Sequence, residues 1–292
     1  MADESTAVIV WWVTLAALSV GNIVAWAVVA WGVRREMATA DRGTRRFRRL
    51  QVILSGLFTF GCAYRSFLPR VEGERFCLYG SWVSSVFIAR AVATVAELAM
   101  VAQWALLLGR WAREQTVAWV LFIARLLVPL IVFAEICSWY TTLTTDYFGA
   151  VVEESTWAAA ATLLTVSLVG LFPQTSGVRR TFAGVAIVFN AAYVVFMCTV
   201  DVPMYALRWR RGQAEGGHYL TLDEGLHDSL TRWIVTRRLA DWREEIAWMT
   251  LYFVVGVWIS IALIRAPLGD RPPHGGARLQ ITEEAGSNVS DF

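Results

Sequence analysis

The stretch SSVFIARAVATVAELAMVAQWALLLGR, residues 84–110, decides the fold. Nearly every side chain in it is apolar or small. As a helix it is long enough to cross the roughly 30 Å of hydrocarbon in a bilayer, which takes about 20 residues. Arg90 and Glu97 interrupt it. Two helical turns separate them, so they share one face about 10.5 Å apart, with Ala93 between. An arginine at mid-membrane costs about 2.5–3.5 kcal/mol on insertion scales, so it needs a partner.

Similar runs recur along the 292 residues, which are 57% hydrophobic, with a mean hydropathy of +0.49. That is too apolar for a soluble domain of this length. Seven spans are expected, at about 8–33, 50–69, 81–109, 117–139, 147–172, 181–203 and 246–264. Helices are expected because open strands leave backbone groups unpaired in lipid, and the alternating pattern of a membrane barrel is absent. The expected fold is an all-α polytopic bundle, one domain over residues 1–265, with a cytoplasmic tail over 266–292 rich in Pro, Gly and charge and expected to be disordered. MADESTAV lacks the basic start of a cleavable signal peptide, so the first span is expected to remain as an anchor.

Loop arginines set the expected orientation. Seven follow span 1 (Arg34, Arg35, Arg42, Arg45, Arg46, Arg48 and Arg49), and GRWARE and GVRRT add more after spans 3 and 5, whereas SWYTTLTTD has none. The N-terminus is therefore expected outside and the C-terminus in the cytoplasm. The connection from span 6 to span 7 also carries seven arginines, but it is long and mixed with acids. Within it, Leu222, Leu226, Leu230, Trp233, Val235, Leu239 and Trp242 predict an amphipathic helix over about 222–243 on the outer interface, a connector or a lid. The absence of lysine beside abundant Ala, Val and Gly points to a GC-rich genome and hence a multi-pass protein of a bacterial inner membrane.

Other spans carry ionisable groups too. Arg65, Arg125, Glu135, Glu153, Glu154 and Asp201 join Arg90 and Glu97, and Asn190 lies nearly in phase with Asp201. Glu97 and Arg125 both fall near the bilayer centre on consecutive spans, so they are expected to pair. Together these residues predict an ion-pair network around a polar cavity open to the outside. Ala89, Ala93, Ala96 and Ala99 suit close helix packing around it.

Several chemistries can be weighed against the composition. Covalent retinal needs a Schiff-base lysine, which this chain lacks. The layout is similar to G-protein-coupled receptors in helix count alone: span 3 ends in GRW, and span 7 carries no Asn-Pro-x-x-Tyr. A three-histidine zinc site inside the membrane is impossible, because the only histidines are His218, His227 and His274. Asp223, Glu224, His227 and Asp228 are read as a solvated face before a metal site. Glu135, Asp146, Glu153, Glu154 and Asp201 form a weak candidate site for a hard cation such as Ca²⁺. Cys77 and Cys137 are a disulfide candidate at one membrane face, with free thiols as the alternative. Most tryptophans fit the interfacial aromatic belt, while Trp157 and Trp258 lie deeper.

No catalytic residues and no cofactor are expected. The expected partners are membrane lipid, a small solute or ion and optionally further copies of the chain, but not nucleic acid, since the net charge is only +2. The expected function is binding or transport of a small solute or ion in the outer cavity. A receptor or scaffold with structural charges is the alternative. A membrane enzyme using carboxylates or a hard metal on a lipid-linked substrate is the third reading.

Overall fold

The computed structural model describes residues 2–268, with side chains from Glu4 onward; the remainder of the expected tail, including His274, lies outside the described residues. Among the described residues, six helices are long and apolar enough to cross a membrane, and 83% of those residues are helical. By length and composition this is a multi-pass membrane protein.

Helices α1 (Ala2–Glu36), α2 (Arg42–Phe67), α3 (Val86–Glu114), α4 (Ala118–Thr144), α5 (Phe148–Leu171) and α6 (Gly177–Phe196) each pack against the next in sequence. Helix α6 runs through a π turn, Met197–Asp201, into α7 (Val202–Ala214). The last long helix is likewise built from α9 (Leu239–Leu251), a π turn at Tyr252–Gly256 and α10 (Val257–Ile264), and it packs on α1, α2 and α3. A short helix, α8 (Leu222–Thr231), docks on α4.

Helix α2 is absent from the six apolar spans, and its packing explains why. It sits between α1, α3 and α10, so its polar groups meet protein before lipid. Gln51 donates to the Gln103 carbonyl at 2.9 Å, Gln103 donates to Gln51 Oε1 at 3.0 Å, and Ser260 donates to Gln103 Oε1 at 2.6 Å with its hydroxyl 3.0 Å from that of Ser55. These buried bonds staple three helices together at mid-bundle. Asp41 caps α2, accepting from the backbone N–H of Gly43 and Thr44. The helix therefore begins about two turns before the apolar run at residue 50.

Three sequence expectations need correction. Span 6 does not stop near 203. Pro203 has no N–H to give the ladder, but the π turn directly before it shifts the local register of the backbone bonds, and the helix continues to Ala214. The single amphipathic helix over 222–243 is instead α8, a strand and the start of α9. The β-branched pair Ile234–Val235 forms β3, parallel to β2 (Phe76–Cys77), which is itself antiparallel to β1 (Arg70–Val71). Trp242 is fully buried within the last long helix. Finally, Cys77 and Cys137 are not bonded; all four cysteines are free thiols, and Cys77 Sγ faces the Ile234 carbonyl across the small sheet.

The β1–β2 hairpin and α8 cap one end of the bundle. Arg75 holds them together, bonding Asp228 at 2.8 Å and the Thr142 carbonyl at 2.9 Å. Gly225 of α8 lies so close to α4 that a Cβ there would stand 1.8 Å from the Leu143 carbonyl oxygen.

Candidate functional site

Under that cap, Arg90 is the hub. It stands one turn into α3, about 6 Å below the helix start. Its guanidinium meets Glu97 and Glu135 at 2.9 Å each, and Glu72 and Glu153 at 3.7 Å each. These carboxylates come from the hairpin, α3, α4 and α5. Arg65, near the end of α2, holds Glu72 at 2.6 Å from the other side. Both arginines and all four glutamates are largely buried; the most exposed side chain among them is Glu72 at 17%.

A polar relay fixes Glu135. Trp139 donates to Thr94 at 3.1 Å, and Thr94 donates to Glu135 Oε2 at 2.6 Å. Glu135 Oε1 and Arg90 Nε are buried without a hydrogen-bond partner. Beside Glu97 lies a cavity of about 20 Å³, lined by Gly61, Cys62, Arg65, Ala93, Ala96, Trp248, Tyr252 and Phe253. That is room for a single water, which needs roughly 10–15 Å³. Gly61 makes the close packing there possible: a Cβ on it would stand 2.6 Å from that of Ala96.

A second hub lies at the rim. Arg208 of α7 pairs with Glu244 at 2.9 Å, Glu74 at 3.6 Å and Glu245 at 3.9 Å. Tyr147 donates to Glu74 at 3.2 Å. Burial, and then the Glu74 charge, pushes the Tyr147 hydroxyl up to about 12, so it remains a donor near neutral pH. Glu154 of α5 and Asp201, the latter in the π turn, face each other.

Glu72 belongs to the hairpin, outside the spans, and its electrostatics follow from its neighbours. Burial alone would raise its carboxyl, but Arg65 and Arg90 together outweigh that and hold it below the usual carboxylate range. At neutral pH it is an anion clamped between two cations.

Of the residues singled out from sequence, Arg65, Arg90, Glu97, Glu135 and Glu153 converge in one cluster, with Glu154 and Asp201 as a neighbouring pair. Asn190 bonds the Ala186 carbonyl of its own helix at 2.9 Å. Asp146 accepts from the Phe148 N–H at 2.9 Å, shaping the turn into α5. The expected pairing of Arg125 with Glu97 does not form. Arg125 is exposed on the outer face of α4, while Glu97 turns to Arg90 on its own helix. Among the described residues, no three His, Cys, Asp or Glu side chains are arranged to hold a metal ion. The guanidinium of Arg90 occupies the centre of the carboxylate ring, where a cation would sit.

Sequence reasoning missed Glu72, Thr94, Glu74, Arg208 and Glu245. For Glu72 a signal existed: VEGE (71–74) puts two acids in a short loop flanked by spans that carry Arg65 and Arg90. No family model matches the chain, and no curated protein or solved structure matches it.

Proposed function

We propose that this is a seven-helix protein of the cell membrane whose ionic cluster takes up and releases protons at its extracytoplasmic end, alone or together with a small ion. One observation carries the reading. Two arginines face four glutamates inside the bundle, so the fully ionised cluster would hold two uncompensated negative charges. Uncompensated charge in a low-dielectric interior costs several kcal/mol per ion. With Arg90 already at the ring's centre, protons are the simplest neutralising species, and the unpartnered Glu135 Oε1 is available to one. The cavity of about 20 Å³ supports a proton or a single small ion over a larger solute. Two π turns flank the site, carrying Asp201 and Tyr252, and such turns recur at functional sites.

The seven-span count includes α2, whose polar face is covered by its neighbours. The orientation rests on unopposed arginines. At the end holding Arg34, Arg35, Arg42, Arg45, Arg46 and Arg49, the only acids among the described residues are Glu36, Asp41 and Glu114. At the hairpin end, acids outnumber arginines, and Arg65, Arg75, Arg90 and Arg208 are all engaged in ion pairs. This supports an outside N-terminus and a cytoplasmic C-terminus. The rim hub at Arg208, with the side chain of Glu244 74% exposed, offers a proton route from solvent.

The test is reconstitution into liposomes holding a pH-sensitive dye, with a potassium diffusion potential as the driving force. Proton entry well above that of empty liposomes is expected, and Glu97→Gln or Glu135→Gln should abolish it while Arg125→Gln leaves it intact. Wild-type liposomes no leakier than empty ones would defeat the transport reading. A second reading, a receptor or scaffold with structural charges, is favoured by one observation: Glu72 is clamped by both Arg65 and Arg90, which ties the hairpin to the bundle. In that case the glutamate variants lose stability and no flux exists to lose.

A further inference from the structure

The end of the bundle opposite the ionic cluster holds a different feature. Helices α2, α3 and α4 leave a lateral groove of about 410 Å³ between them. That size lies within the roughly 300–1,000 Å³ typical of small-molecule sites. Its walls are small or aliphatic: Leu50 from α2, Ala102 and Leu106 from α3, and Leu121 and Val128 from α4. Arg113 and Arg125 line the same groove, and both are exposed.

The two arginines reach it from different depths. Arg113 is next to the last residue of α3 and folds back along its own helix. Its guanidinium nitrogens stand 3.8 and 3.9 Å from the point where a Cβ on Gly109 would be. Arg125 lies two turns inside α4, about 10.5 Å from the helix start, and its long stem can carry the charge back toward the interface.

Nothing among the described residues neutralises either one. The described acids at that end are already engaged: Glu36 pairs with Arg265 at 3.0 Å, Glu114 pairs with Arg110 at 2.9 Å and also with Arg179, and Asp41 caps α2. Arg46, one turn outward from Leu50 on the same face of α2, is also exposed. An apolar groove topped by unopposed guanidinium groups complements a ligand with an anionic head and a hydrocarbon tail. Guanidinium binds phosphate oxygens in a bidentate fork, and basic pockets between membrane helices suit acidic headgroups.

We propose that this groove binds an anionic phospholipid, its phosphate held by Arg113 and Arg125 and an acyl chain lying along Leu50, Leu106, Leu121 and Val128. The site is independent of the proton reading, since it shares no residue with the Arg90 cluster.

The experiment is native mass spectrometry of the full chain in mild detergent, with phosphatidylglycerol and phosphatidylcholine offered in equal amounts. The wild type is expected to retain phosphatidylglycerol in clear preference. R113Q with R125Q is expected to weaken that retention about 30-fold, which is about 2 kcal/mol at tenfold per 1.4 kcal/mol. R210Q, at the other end of the chain's long axis, should leave the preference intact. Ala105→Trp, which fills the groove and keeps both arginines, should remove the bound lipid. Equal retention of the two lipids by the wild type would overturn the proposal. So would a preference that survives R113Q with R125Q. A preference that emerges only after residues 269–292 are deleted would show that the tail holds the groove, and would equally overturn lipid as its occupant.

Discussion

Replacing Arg90 by methionine removes a buried charge and keeps most of the side-chain volume. Four carboxylates then lose their common cation: Glu97 and Glu135 at 2.9 Å, and Glu72 and Glu153 at 3.7 Å. Removing one partner of a buried pair costs about 3–5 kcal/mol, because the other charge stays behind in low dielectric. For a chain of this size that lowers Tm by about 6–20 °C, at roughly 2–4 °C per kcal/mol. The control is Arg125→Met. Arg125 interrupts a span just as Arg90 does, but it is exposed and unpaired, so its loss should fall within about 0.5 kcal/mol. Thermal unfolding in the same detergent measures both. The R90M deficit should also shrink in acid, since protonating the stranded carboxylates removes the charge that Arg90 had opposed. Equal melting temperatures for R90M and R125M, or an R90M deficit that is constant from pH 8 to pH 5, would refute the hub.

Two further expectations concern the cap. Glu72 has a depressed folded-state pKa, so its clamp stabilises the hairpin at pH values above the unfolded value of about 4.3 and is lost as pH falls below it. Proteolysis of the 70–77 hairpin should therefore accelerate in acid, and Glu72→Gln should make it equally fast at neutral pH. Gly225→Ala sets a methyl against the Leu143 carbonyl and should cost about 3 kcal/mol, seen as hydrogen exchange rising through α8 while α3 and α5 stay protected.

The helical bundle is legible because hydrocarbon imposes a strict rule: about 20 apolar residues and no unpaired backbone. Span positions follow from that alone. Helix α2 shows where the rule stops working. Its Gln51, Ser55 and Thr59 are buried against protein, and hydropathy does not distinguish a polar face turned inward from one turned outward. The same gap separates Arg90 from Arg125. Both look like intramembrane charges in sequence, and only the rotations of α3 and α4 decide that Arg90 faces the core and Arg125 the outer surface. The amphipathic run over 222–243 misled for a different reason. Its helical spacing persists through Thr231-Arg-Trp-Ile-Val-Thr236, but a free edge of β2 lies alongside, and pairing with it outweighs weak helix propensity at Ile234 and Val235. Glu72 escaped because loop residues carry no depth signal; its place is set by the hairpin's fold back over the helix ends.

A π turn holds one residue more than the α turn it replaces, and it can be handed along a helix without breaking the chain of backbone bonds around it. Every residue such a dislocation passes swings by about 100°. Met197–Asp201 ends on the acid that faces Glu154, and α7 beyond it carries Arg208. A shift of that turn by one position would swing Asp201 away from Glu154 while the backbone bonds on either side stay made.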